Sequence, residues 1–114
     1  MALVEGRNGI IAAWETEGQI YWGRIKPGTW EITEMQAAPG ASKTRKHPAL
    51  AVNERGEIVL AWTEGTGWQK GGVLAWQVYD QTGKPTEKGR LERGIPVWGL
   101  PTVAATNGGF VLLH

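Results

Sequence analysis

A stretch of about fifty residues recurs almost three times in this chain, and no other feature narrows its fold as much. Ile10-Ile11-Ala12-Ala13-Trp14 matches Ile58-Val59-Leu60-Ala61-Trp62 after a shift of 48 residues. Phe110-Val111-Leu112-Leu113-His114 is a third copy, shifted by a further 52, with His114 where the others carry Trp. A short apolar run and a Gly-containing turn precede each copy: Ala2-Leu3-Val4 before Gly9, Ala49-Leu50-Ala51-Val52 before Gly56, Thr102-Val103-Ala104-Ala105 before Gly109. Downstream, Ile20-Tyr21-Trp22-Gly23-Arg24-Ile25 matches Leu74-Ala75-Trp76-Gln77-Val78-Tyr79. The extra residues of the second copy fall in the Gly-rich segment 65–72, where an insertion disturbs least.

The repeated unit is made of strands. No window shows a helical period, whereas short β-rich runs recur between Gly, Pro and Asn. Strands are expected near 2–5, 10–15, 19–25, 30–35, 48–52, 57–63, 73–80, 88–92, 101–105 and 110–114. Asn8-Gly9 and Asn107-Gly108 suit two-residue turns, whose central positions need positive φ. Asn53-Glu54-Arg55-Gly56 and Asp80-Gln81-Thr82-Gly83 suit longer hairpin loops with Gly in the left-handed position. Glycine, at 17 of 114 residues, is about twice its usual share of roughly 7%, which fits many tight turns. A repeating four-stranded unit of this length is a propeller-blade signature. The expected fold class is therefore all-β, with β-propeller blades of four antiparallel strands and about two and a half blades in one segment spanning 1–114. Blade 1 covers about 2–47, blade 2 about 48–100, and an inner half-blade about 101–114.

These blades resemble the sialidase-like β-propeller superfamily, which carries BNR (Asp-box) repeats. The likeness rests on the Ala/Val strand, the Gly turn, the Ile-Val-x-Ala-Trp strand, and the following apolar strand that ends at Asp80-Gln81-Thr82-Gly83. It extends over nearly the whole chain. The strict Asp-box pattern is absent, and Asp80 to Thr86 is a degenerate version lacking its Ser and Trp. The segment from Trp62 through Gly72, with Ala75 to Val78 and Pro96 to Pro101, resembles C-terminal blades of larger propeller proteins. Complete propellers have more blades than this chain can build. The sheet faces left open are then expected to be closed by homo-oligomerisation, with a dimer or trimer forming the ring, or by a longer parent.

Composition removes several functions. Net charge is +1, with 12 basic and 11 acidic residues, so there is no concentrated basic footprint and no nucleic-acid partner is expected. No apolar run approaches the roughly 20 residues of a membrane helix, so no membrane partner is expected. The start, Met1-Ala2-Leu3-Val4-Glu5, does not read as a signal peptide. A soluble chain is expected and its localisation stays open, a secreted or periplasmic parent included. With no Cys, two His and no clustered carboxylates, neither a metal site nor a cofactor is expected. Ser42 is the only serine, which excludes a Ser nucleophile elbow.

The resemblance implies a sialidase set of Arg cluster, Tyr nucleophile, Glu and Asp. Asp80, Tyr21 and Tyr79 do not fall on those positions, so no catalytic residue is assigned. Lys43-Thr44-Arg45-Lys46-His47 reads as a solvated basic connector, or alternatively as an anion contact. Tryptophan is the strongest functional hint, with seven copies. Trp14, Trp22, Trp62 and Trp76 sit at repeat positions and read as packing residues between blades. Trp30, Trp68 and Trp98 have no repeat partner. Trp68, in its Gly-rich loop, could stack on a sugar, with Glu64, Gln69 or Lys70 supplying hydrogen bonds and Trp98 as a further candidate binding residue; the competing reading folds the Trp68 indole back onto its blade. Three readings of function stay open: a non-catalytic propeller module for oligomeric assembly with a carbohydrate or other ligand, a fragment of a sialidase-like glycoside hydrolase, and an excised or engineered propeller fragment without activity.

Overall fold

A computed structural model describes residues 1–6, 9–26, 28–40, 44–65, 72–95, 102–106 and 109–113, with the side chains of 91–95 and of Leu113 outside the description. Among the described residues there is no helix. Ten strands follow one another: β1 (Ala2–Gly6), β2 (Gly9–Thr16), β3 (Gln19–Ile25), β4 (Ile32–Ala37), β5 (Arg45–Val52), β6 (Ile58–Glu64), β7 (Gly72–Tyr79), β8 (Pro85–Ile95), β9 (Thr102–Thr106) and β10 (Gly109–Leu113). They form a four-stranded sheet ordered β1-β2-β3-β4, a second ordered β5-β6-β7-β8, and the hairpin β9-β10, all antiparallel. All ten expected strands are present, and most ends lie within a few residues of the expected ones.

Turn chemistry explains the connections. Asn53 Oδ1 accepts hydrogen bonds from the amides of Arg55 and Glu57, both at 3.0 Å, and Gly56 follows with φ 79°. Asp80 Oδ1 likewise accepts from Thr82 N at 2.8 Å and Lys84 N at 3.0 Å, with Gly83 at φ 89°. Each side chain mimics a backbone acceptor, and each Gly supplies the left-handed residue that reverses the chain. Gly9 departs from expectation. It opens β2 and pairs with Gly6, so it is not central to the turn. Asn8, Asn107 and Gly108 lie outside the described residues.

Side-chain alternation gives each sheet two faces. The first sheet turns Val4, Ile11, Ala13, Ile20 and Trp22 toward Ile58, Leu60, Trp62, Ala75 and Tyr79 of the second. The second turns Ala61, Leu74 and Trp76 the other way, against Val103 and Leu112 of the hairpin. We call the side facing the next unit in sequence the front, and the side facing the preceding unit the back. Front and back follow the repeat: positions 58, 60 and 62 face back, as do 110 and 112, while 59, 61 and 111 face front.

Polar clamps at both ends lock the first two sheets together. At one end Gln36 Nε2 donates to Gly83 O at 2.8 Å, and Arg24 NH2 donates to Gln81 O at 2.9 Å. At the other end stands Arg45. Of the basic stretch expected to be a solvated connector, Arg45, Lys46 and His47 begin β5 instead, and Arg45 is only 3% exposed; Lys43 lies outside the described residues. His47 sits at a bulge of β5 with φ 55°, between the paired positions Lys46 and Ala49. Glu34, at φ 54°, marks the equivalent irregularity between β3 and β4. Such bulges re-aim a strand and increase its twist.

Candidate functional site

Glu64 ends β6 and is the expected binding residue that the description reaches. Its carboxylate is buried and holds three donors. Oε1 accepts from Arg45 Nε at 2.9 Å and from the Trp62 indole N–H at 2.8 Å; Oε2 accepts from Arg90 NH1 at 2.9 Å. Burial is the largest single influence on this carboxyl and opposes its ionisation. The Trp62 and Arg90 hydrogen bonds, with the Arg45 and Arg90 charges, together outweigh it and hold the group below the ordinary glutamate range. Arg45 in turn donates to Gln19 Oε1 at 2.8 Å and to the carbonyls of Ala38 and Pro39. Its guanidinium lies 5.0 Å from the Trp62 ring centre, within cation–π reach. The cluster therefore crosses from the first sheet to the second with every charge partnered.

Beside it opens a cleft of about 380 Å³, lined by Arg45, Trp62, Ala75, Trp76, Lys88 and Arg90 among others. Arg45, Lys88 and Arg90 bring three cationic side chains to a lining that also holds the Trp62 and Trp76 indoles. Gly89 belongs to this wall, and a Cβ there would run into the Trp76 indole. Trp68, Gln69, Lys70 and Trp98 lie outside the described residues.

The residues weighed for hydrolysis are placed apart. Tyr79 is sealed in the core against Trp22, with ring centres 4.7 Å apart. Burial pushes its hydroxyl pKa up, with partial relief from the Trp22 indole. Among the described residues, neither Tyr79 OH nor Trp22 Nε1 completes a hydrogen bond, a small destabilising feature of that core. Asp80 caps its turn, and the Thr82 hydrogen bonds lower its pKa. Tyr21 lies on the back of the first sheet, stacked on Trp14 at 6.2 Å. Among the described residues no three His, Asp or Glu come together as metal ligands.

A second surface stands out by contrast with the cleft. Among the described residues, the back of the first sheet has no neighbour. Register puts Leu3 opposite Ala12, Trp14 opposite Tyr21, and Ile10 between Glu5 and Ile25 on that face. Leu3 is 61% exposed, and Ile32, paired with Ile25, is 51% exposed. Met35 and Trp30 are exposed on and beside β4. Trp30 occupies a left-handed position at φ 59°, where glycine would be at ease. Sequence repetition marked Trp14 as a packing residue, but no local signal told that its face would be the uncovered one.

The fold and these two surfaces define the chain as an all-β protein of antiparallel sheets stacked front to back. No protein-family model matches it, and neither a curated protein nor a solved structure does so.

Proposed function

We propose that the chain is a non-catalytic β-propeller module that assembles with copies of itself. On this reading the two four-stranded sheets are blades, and the terminal hairpin is the inner half of a third. The in-order strand connections, the fifty-residue repeat and the resemblance to sialidase-like propellers support it. The observation that carries it is the bare apolar back of the first sheet, in a chain whose second sheet has a packed neighbour on each side. An exposed patch containing Leu3, Ile32 and Met35 marks an interaction surface more often than a solvated one. The total exposed area agrees: it is 6766 Å², about a tenth more than the roughly 6,100 Å² of a compact monomer of this mass.

The ligand part of the reading belongs to the cleft beside Glu64, whose indoles and cations suit a carbohydrate or another polar ligand. Light scattering behind a sizing column tests the assembly. A discrete multiple of 12.4 kDa is expected, and a monomer at every concentration overturns it. Calorimetric titration of the assembled protein with glycans tests the cleft. Absence of heat across a broad glycan set removes the carbohydrate reading and leaves the assembly reading intact.

A further inference from the structure

We infer that the self-association is directional: the front of the β9–β10 hairpin of one copy docks on the back of the first sheet of the next. This rests on the assembly reading and adds the two surfaces and their polarity.

The argument starts from the two junctions inside the chain. At each, the two inner strands of a front bring mostly small or β-branched side chains against the next back, while the third strand adds a Trp, Trp22 at the first and Trp76 at the second. Ala2, Val4, Ile11 and Ala13 meet Leu50, Ile58, Leu60 and Trp62 at the first. At the second, the front of β5 and β6 carries the register pairs Ala49–Ala61 and Ala51–Val59, and Ala61 packs with Leu74 and Trp76 against Val103 and Leu112. Small against large lets the inner strands of successive sheets interdigitate without voids.

Two faces of these same kinds are left over. The hairpin front carries Ala104 paired with Val111, flanked by Thr102 and Thr106. Apart from Leu113, which pairs with Thr102 at its edge, this face carries small or β-branched residues, and they are open: Val111 is 42% exposed, and Thr102, Ala104 and Thr106 are exposed. The back of the first sheet carries Leu3, Ile10 and Trp14, with Ala12 opposite Leu3 and Glu5 opposite Ile10. Ile10 and Trp14 are the repeat equivalents of Ile58 and Trp62, which already receive a front within the chain. The third contact thus continues an interface the molecule has built twice. A symmetric back-to-back pairing would instead set large against large, Trp14 and Leu3 against their own copies. Contacts of the front-to-back kind are heterologous, so they generate a ring or an open chain of copies rather than an isolated two-fold dimer.

Two exposed positions make the test. Leu3→Glu charges the back and leaves the front intact; Val111→Glu does the reverse. Circular dichroism checks that each folds, and Ala104→Glu replaces Val111→Glu if the hairpin is disturbed. Each variant alone is expected to run as a 12.4 kDa monomer, with the dissociation constant raised by roughly thirtyfold or more. Mixed in equal amounts, they are expected to form a capped pair of twice that mass, because one intact front meets one intact back. If Leu3→Glu alone abolishes assembly while Val111→Glu leaves it whole, the contact is back-to-back and the inference is overturned. Assembly that survives both single variants, or a mixture that stays monomeric, overturns it as well. A monomeric wild-type protein instead overturns the assembly reading itself, so the two failures are distinguishable.

Discussion

The first and second sheets share strand order, connection pattern and much of their sequence, yet the same motif lives in different surroundings. Every residue of β6 is buried, whereas β2 is buried chiefly on its front. Trp62 is 2% exposed and bonded to Glu64, while its repeat equivalent Trp14 is only half-buried and stacks on Tyr21. Glu64 joins two arginines; its equivalent Thr16 is exposed. A strand's own composition thus sets its tendency to be covered, and its place in the stack decides whether covering happens.

Truncating the two tryptophans strains this comparison most. Trp62→Ala removes a buried ring and the indole donor to Glu64, and should cost about 3–5 kcal/mol. Trp14→Ala, in dilute monomer, should cost about 1 kcal/mol or less, because the ring is already partly hydrated. Urea denaturation of both variants gives the two numbers, and equal costs would dissolve the distinction between the sheets.

Glu64→Gln comes next. It leaves the Arg45 guanidinium buried without its counter-charge, and a loss of about 2–3 kcal/mol is expected. The corresponding Thr16→Ala should stay within about 0.5 kcal/mol. The pH dependence sharpens this. The folded protein holds Glu64 below its ordinary value of 4.5, so its contribution is fully present above that pH. It is lost as pH falls through the lowered folded value. Stability measured from neutral pH downward should therefore drop more steeply in wild type than in Glu64→Gln. Parallel curves would mean that the carboxylate charge does not hold the sheets together.

The outer turns supply the smallest contrast. In the second sheet Gly83 takes the left-handed position, and a Cβ there would meet Gln36 Nε2 at 3.2 Å. Gly83→Ala should cost about 1 kcal/mol. In the first sheet Trp30 takes the comparable position after Lys26, whose carbonyl accepts from Trp30 N at 3.0 Å. Trp30→Gly should gain up to about 1 kcal/mol by relieving the left-handed strain. Thermal melts of both variants should move in opposite directions. If Trp30→Gly also destabilises, the indole makes a stabilising contact that its 71% exposure does not reveal.

Much of the fold was legible in the residues. All ten strands follow from alternation and turn chemistry, which act over a few neighbours. Gly56 and Gly83 take the left-handed position as read, and the structure adds that the Asn53 and Asp80 side chains close these loops. The antiparallel order follows from connections too short for a crossover. The site was less legible. Glu64 was noticed as a hydrogen-bonding neighbour of a loop, but its two arginine donors are 19 and 26 residues away in sequence. Arg45 looked like one member of a solvated basic run. It is buried because Glu64, Gln19 and two carbonyls converge on it from both sheets. A charged residue's burial depends on partners that no local window contains.

The amino-acid sequence alone determined the strands, their turns, the repeat and the alternation that gives every sheet two apolar faces. These depend on φ/ψ preferences and side-chain period, both local properties of the chain. Only the tertiary structure decided which of those faces would be used. It set Trp22 against Tyr79, ran Arg45 across to the neighbouring sheet, and left Leu3 and Trp14 facing outward. Burial is a property of neighbours rather than of a residue. Identical motifs at the middle and the end of a stack therefore meet different amounts of water.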